Sequence, residues 1–138
     1  MRILGIDFGE RRIGVAIGDT EGGLALPLTT LVRTSDASVI RELVELAASE
    51  SVGALVVGEP RRLDGSRGQA AERATAFARK LATASSLPCR LVDEALTSVE
   101  AKERLRTAGV DPRRHPERID SLAAQIILQE ALDHGREG

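Results

Sequence analysis

The chain has 138 residues, a formal net charge of −2, 42% hydrophobic and 29% charged residues, one cysteine and two aromatic side chains, Phe8 and Phe77. That length fits one domain, 1–138, and the balance excludes disordered and fibrous classes. With no apolar run of membrane-spanning length, no signal-peptide pattern and too few aromatics to hold single strands mainly by stacking, a cytoplasmic protein with an aliphatic core is expected.

"RILGID" and "RIGVAIGD" read as two strands joined by the short glycine-containing link "FGER", an antiparallel hairpin. "GGLALPLTTLV" supplies a third strand, and Pro27 places it at a sheet margin or a bulge. Val39, Ile40, Leu43, Leu46 and Ala47 follow helical spacing from Asp36 to Glu50, with Ser35 or Asp36 as cap. "VGALVVG" is a continuous apolar run ended by Gly58 and Pro60, the pattern of a central strand covered on both faces. After the polar loop "EPRRLDGSRG" a helix is expected through Ala70, Ala74, Phe77, Ala78 and Leu81, and "LPCRLVDE" reads as the next strand, with Cys89 a strand side chain. Thr97 and Glu100 form a capping box for a helix ending at Gly109. Beyond the loop "VDPRRHPER" a last helix is expected from about Ile119 to Leu132, with a frayed tail from about residue 133. Once helices alternate with strands, right-handed crossovers make the later strands parallel, so the class is α/β with a mixed sheet and a hairpin side.

Ile3, Gly5 and Asp7 share one face of the first strand, and Asp7 lies near its carboxyl end, where open α/β sheets bind ligands. "RLVDE" ends in Asp93 and Glu94 and should point its end toward the same edge. Asp120 is expected in the first turn of the last helix, flanking an apolar stripe of Ile119, Ala123, Ile126 and Ile127. Each acid alone has an ordinary structural reading as a turn, strand-end or helix-dipole residue, as Asp19 has at the Gly22–Gly23 turn. Their convergence points to chemistry. Carboxylates gathered at one edge need a counter-ion, and an all-oxygen ligand set without a His or Cys cluster suits Mg²⁺ or Mn²⁺. Such a site hydrolyses phosphodiesters without a protein nucleophile. Seventeen of the 19 basic residues are Arg. Arg11 and Arg12 in the first hairpin, Arg61, Arg62 and Arg67 after the fourth strand, and Arg113, Arg114 and Arg118 before Asp120 would ring the acids with phosphate-binding charge. His115 and His134 have no Ser or Cys partner for a triad.

The motifs "GIDFGERRIGVAIGD", "LVVGEP" with "DGSRG", "DEALTS" and "IDSLAAQIIL", in this order from Arg2 to about Leu132, resemble the bacterial Holliday-junction-resolvase-like family of pre-16S rRNA nucleases, within the ribonuclease H-like superfamily. The resemblance implies a five-stranded mixed sheet of order 3-2-1-4-5 flanked by helices. It implies catalytic and metal-binding roles for Asp7, Glu94 and Asp120, and places the family's Arg-Ile-Gly hairpin on Arg12, Ile13 and Gly14. It also implies nucleic acid as partner, as pre-rRNA in a ribosomal particle or as branched DNA, with the protein a monomer or homodimer. The chain departs from the family pattern at Glu59, Ala95 and Ser98; Ala95 stands where an arginine is common. Three other classes compete: a DNA-junction resolvase, which needs paired sites in a dimer; a non-catalytic RNA-binding assembly factor; and a sugar-kinase or actin-type phosphate site, with Gly9 and Gly14 making room for a nucleotide. The last needs two lobes, and this length supplies one.

Overall fold

A computed structural model of the chain describes residues 1–60, 68–94 and 97–137, the side chains of Pro60, Glu94, Ser98 and residues 135–137 excepted. Three strands come first, β1 (Arg2–Phe8), β2 (Arg12–Asp19) and β3 (Ala25–Val32). They are followed by α1 (Asp36–Ser49), β4 (Val52–Pro60), α2 (Gln69–Ser85), β5 (Cys89–Glu94), α3 (Thr97–Thr107), a 3-10 turn at Pro112–Arg114, and α4 (Pro116–Glu137). The sheet order is β3-β2-β1-β4-β5, with the first three strands antiparallel and β4 and β5 parallel to β1. Short links make the hairpins, while helical crossovers return β4 and β5 in parallel, as the element order requires.

Pro27 falls where its missing N–H is tolerated. β3 is an edge strand, and its register slips at this point: Val15 pairs with Thr29 and Ala16 with Pro27, leaving Leu28 as the extra residue of a bulge. Ser35 caps α1 by accepting from the Ser38 N–H at 3.1 Å. Gly109, with φ of +81°, takes the left-handed conformation that lets the chain leave α3. The capping box is not seen as expected, because Thr97 is itself the first residue of α3 and Glu100 accepts from Arg104 at 3.1 Å.

Each face of the sheet is covered. Leu4, Ile6, Val15, Leu55 and Val57 pack with Val39 and Leu43 of α1 and Phe77 and Leu81 of α2. On the opposite face Ile3, Ala16 and Val56 meet Ala124, Ile127 and Leu128 of α4. α3 lies outside α4, joined through Ala101, Ala123 and Ile126, with Ile119 and Leu122 beside them. The expected single stripe on the last helix is therefore two. Ile119, Ala123 and Ile126 turn to α3, while Ala124, Ile127, Leu128 and Ala131 turn to the sheet, because a helix sandwiched between a sheet and a helix is apolar on both sides.

α4 also begins earlier and ends later than the sequence suggests. Pro116 opens it, a position where a missing N–H costs nothing, and it continues past Leu132 to Glu137 through the stretch read as a frayed tail. Asp120 consequently stands one turn inside the helix rather than in its first turn. Among the described residues no helix is long and apolar enough to cross a membrane.

Candidate active site

Asp7 pairs with Gly14 of β2 on one side and with Gly58 of β4 on the other. By strand alternation it shares the α4 side of the sheet with Gly5, where an added Cβ would lie 2.6 Å from Leu128 Cβ. The approach is closer still at Gly14: a Cβ there would collide with the Asp120 carbonyl. The second turn of α4 thus rests on bare backbone of β2, directly across the ladder from Asp7. Gly14 makes room for a helix, not for a nucleotide. Along α4, Asp120 is four residues before Ala124 and eight before Leu128, which puts it on the sheet-facing line.

An acid on that line needs a partner. Arg12, the first residue of β2, donates from Nε to Asp120 Oδ2 at 2.6 Å, with the two side chains 39% and 18% exposed. The first turn of α4 is tied to β3 as well, through Thr30 Oγ1 donating to the Glu117 carbonyl at 2.6 Å. The hairpin loop that delivers Arg12 is held from the other side by Arg33. Its backbone N–H donates to the Arg11 carbonyl at 2.8 Å and its guanidinium to the Glu10 carbonyl at 3.1 Å. The same guanidinium pairs with Asp36 at 2.8 Å and lies 4.7 Å over the Phe8 ring, which packs on Phe77 at 4.5 Å. The two aromatic residues of the chain therefore brace the loop behind Asp7.

The backbone of Glu94 lies at the carboxyl end of β5, opposite Pro60 and one alternation beyond the Gly58–Val92 pair that continues the Asp7 row. Its side chain is outside the described residues, as are Arg61, Arg62, Arg67 and Ala95. Asp93 is exposed and pairs in register with Glu59, which is buried on the α1 and α2 side. Arg11 and Arg118 are exposed. Arg113 and Arg114 stand 3.3 and 3.9 Å from Asp111 and are 89% and 82% exposed, open to solvent ahead of α4. The N–H of Arg113 and its side chain hold the Asp111 carboxyl below the usual range. His115 stands 3.5 Å from Glu117, and the His134 ring bonds the Glu130 carbonyl at 2.7 Å.

Asp19 lies at the far end of the hairpin, opposite Arg2. It accepts the Glu21 N–H at 2.8 Å, the main reason its carboxyl titrates low, and its carbonyl accepts the Gly23 N–H at 2.7 Å. It is a turn residue remote from Asp7. Burial pushes the Cys89 thiol up to about 11, so it is neutral at ordinary pH, consistent with a strand side chain. Sequence reasoning missed the side chains that dock α4 on β3. Gln129 Oε1 accepts from the Ala25 N–H at 2.9 Å and its Nε2 donates to the Gly23 carbonyl at 2.8 Å, while Gln125 donates to the Ala25 carbonyl at 2.9 Å. Two glutamines one turn apart in an apolar helix were the available signal.

A family model described as RuvX: Holliday junction resolvase matches residues 1–134. The chain belongs to that family. Curated relatives of the chain include a protein named "Putative pre-16S rRNA nuclease" from Syntrophus aciditrophicus, 44% identical over 133 residues that make up 96% of the chain and 89% of the relative. A protein of the same name from Chloroflexus aurantiacus is 44% identical over 134 residues, 97% of the chain and 88% of the relative. Among solved structures, Thermus thermophilus RuvC in complex with a Holliday junction substrate superposes with a TM-score of 0.60 at 19% identity, covering 100% of this chain and 97% of RuvC. The fowlpox virus Holliday junction resolvase gives 0.58 at 10% identity, covering 97% and 99%. At such identities the likeness shows the fold, which is ribonuclease H-like.

The donor chemistry suits a hard divalent cation. Asp7 and Asp120 offer only carboxylate oxygens, and Asp120 already holds a cationic group, the Arg12 guanidinium. Among the described residues no three His, Cys, Asp or Glu side chains form a metal-holding group, and of the three candidate acids Glu94 is the one whose side chain lies outside them.

Proposed function

We propose that this chain is a hydrolytic nuclease acting on the 5′ end of pre-16S rRNA, with Asp7, Glu94 and Asp120 holding Mg²⁺ or Mn²⁺. The observation that carries this reading is the seating of Asp120 over Gly14, directly across the β1–β2 ladder from Asp7. A contact tight enough to exclude a methyl group sets the Asp120 backbone on the strand that pairs with Asp7, which supports one site shared by two acids more than a hundred residues apart in sequence. The names of the relatives support the rRNA substrate.

When bound, the cation supplies charge neutralisation at the scissile phosphate and an activated water. The chain's own groups do the rest. Asp7 and Asp120 fix where positive charge resides, the Gly14 contact and the Thr30 bond keep α4 from rocking, and exposed Arg11, Arg113, Arg114 and Arg118 draw the phosphate backbone to the rim. Arg61, Arg62 and Arg67 belong to the same proposed rim. The description of the matching family model favours a second substrate, the four-way DNA junction.

The test is Mg²⁺-dependent cleavage of a 5′-extended 16S precursor and of a junction by the wild type and by Asp7→Asn, Glu94→Gln and Asp120→Asn. Wild type is expected to cut the precursor faster than the junction, and each variant to lose at least about 100-fold in rate while staying folded. A folded Asp7→Asn protein as active as wild type would overturn the mechanism. Faster cutting of the junction would replace the substrate.

A further inference from the structure

From the Arg12–Asp120 pair we infer that Arg12 is a resident counter-ion which the divalent cation displaces from Asp120, freeing the guanidinium to bind the phosphate of the nucleic acid about to be cut. The inference rests on the metal reading of the acids and adds the group that holds their place. From the sequence alone Arg12 is one of several loop arginines that could take a phosphate. The structure commits it instead to a carboxylate oxygen at 2.6 Å, closer than Arg106 comes to Glu103 at 2.7 Å or Arg33 to Asp36 at 2.8 Å.

Three features make the pair an exchange device rather than a fixed strut. Asp120 faces the sheet at 18% exposure, where an isolated carboxylate is costly and some cation must attend it. Arg12, at 39% exposure, is open enough to swing its head to solvent without losing buried packing. Moreover α4 does not depend on Arg12 for its seat, because the Gly14 contact, the Thr30–Glu117 bond and the two glutamines hold it independently. A guanidinium and a divalent ion at one carboxylate repel, so the ion's arrival and the arginine's departure are one event. The departing fork is then beside the scissile phosphate, with the bidentate geometry that phosphate takes best.

The test measures Mn²⁺ affinity by electron paramagnetic resonance in wild type, Arg12→Gln, Arg12→Lys and Asp120→Asn, with thermal melts to establish that each is folded. Arg12→Gln is expected to bind Mn²⁺ about tenfold tighter than wild type, because one repelling charge is gone. Arg12→Lys, which keeps the charge but not the fork, should bind Mn²⁺ within about twofold of wild type, yet share with Arg12→Gln a severalfold higher KM for the nucleic acid. A merely structural Arg12 would weaken Mn²⁺ binding when lost, so unchanged or weaker binding in folded Arg12→Gln overturns the exchange. If wild type binds Mn²⁺ and Asp120→Asn does not, that failure leaves the metal reading intact. Should wild type bind no Mn²⁺, both readings fall together.

Discussion

Asp120 is an acid on the packing side of a helix, and two residues of β2 make that tolerable: Arg12 neutralises its side chain and Gly14 admits its backbone. The demand at Gly14 is steric, since its carbonyl neighbour is main chain and cannot rotate away. Gly14→Ala is expected to lift the second turn of α4, destabilising the protein by about 1–3 kcal/mol, with a larger proportional loss of cleavage. Urea denaturation alongside a cleavage assay checks both. As candidates the three acids stand out in the sequence, because Asp7 and Glu94 come at the ends of apolar strand runs and Asp120 interrupts an apolar helix. The partner of Asp120 was not. Arg12 is 108 residues away and sits among other arginines, and local pattern carries no information on which of them closes a contact at that separation.

At the scale of elements, what misled was proline. "VDPRRHPER" reads as loop because it holds two prolines, but Pro112 opens a 3-10 turn capped by Asp111 and Pro116 opens α4; both are at helix starts, where a missing N–H is no loss. Pro27 sits where the sequence places it, because an edge strand and a bulge are the places a sheet accepts it. The attachment of that edge also lies on α4. Gln129 satisfies both a donor and an acceptor at the amino end of β3, and Ala25, whose N–H it accepts, is fully buried. Gln129→Ala leaves that N–H unpaired, with an expected cost of about 1–3 kcal/mol. Hydrogen exchange at the Ala25 amide should accelerate in the variant, while amides in the middle of β1 stay protected until global unfolding.

For the molecule as a whole, element order carried the class, since three strands before the first helix and then alternation make a mixed sheet under right-handed crossovers, while the strand order 3-2-1-4-5 came from the family resemblance. The two-sided burial of α4 could not be read, since it depends on α3 folding back over it. If the gathered acids hold a cation, binding must stabilise the native state alone, and saturation at a hundred times the dissociation constant adds about 2.7 kcal/mol. The melting temperature should rise with Mg²⁺, fall back with chelator, and respond little in Asp120→Asn.

One consequence follows from where the pieces of the site lie along the chain. Asp7, Arg12 and Gly14 lie close together in the sequence, and Asp120 follows them more than a hundred residues later. A ribosome, which releases a polypeptide amino end first, therefore extrudes all five strands before α4, and on the reading proposed for it the nascent chain stays harmless to the RNA of the machine producing it until that helix has emerged and docked.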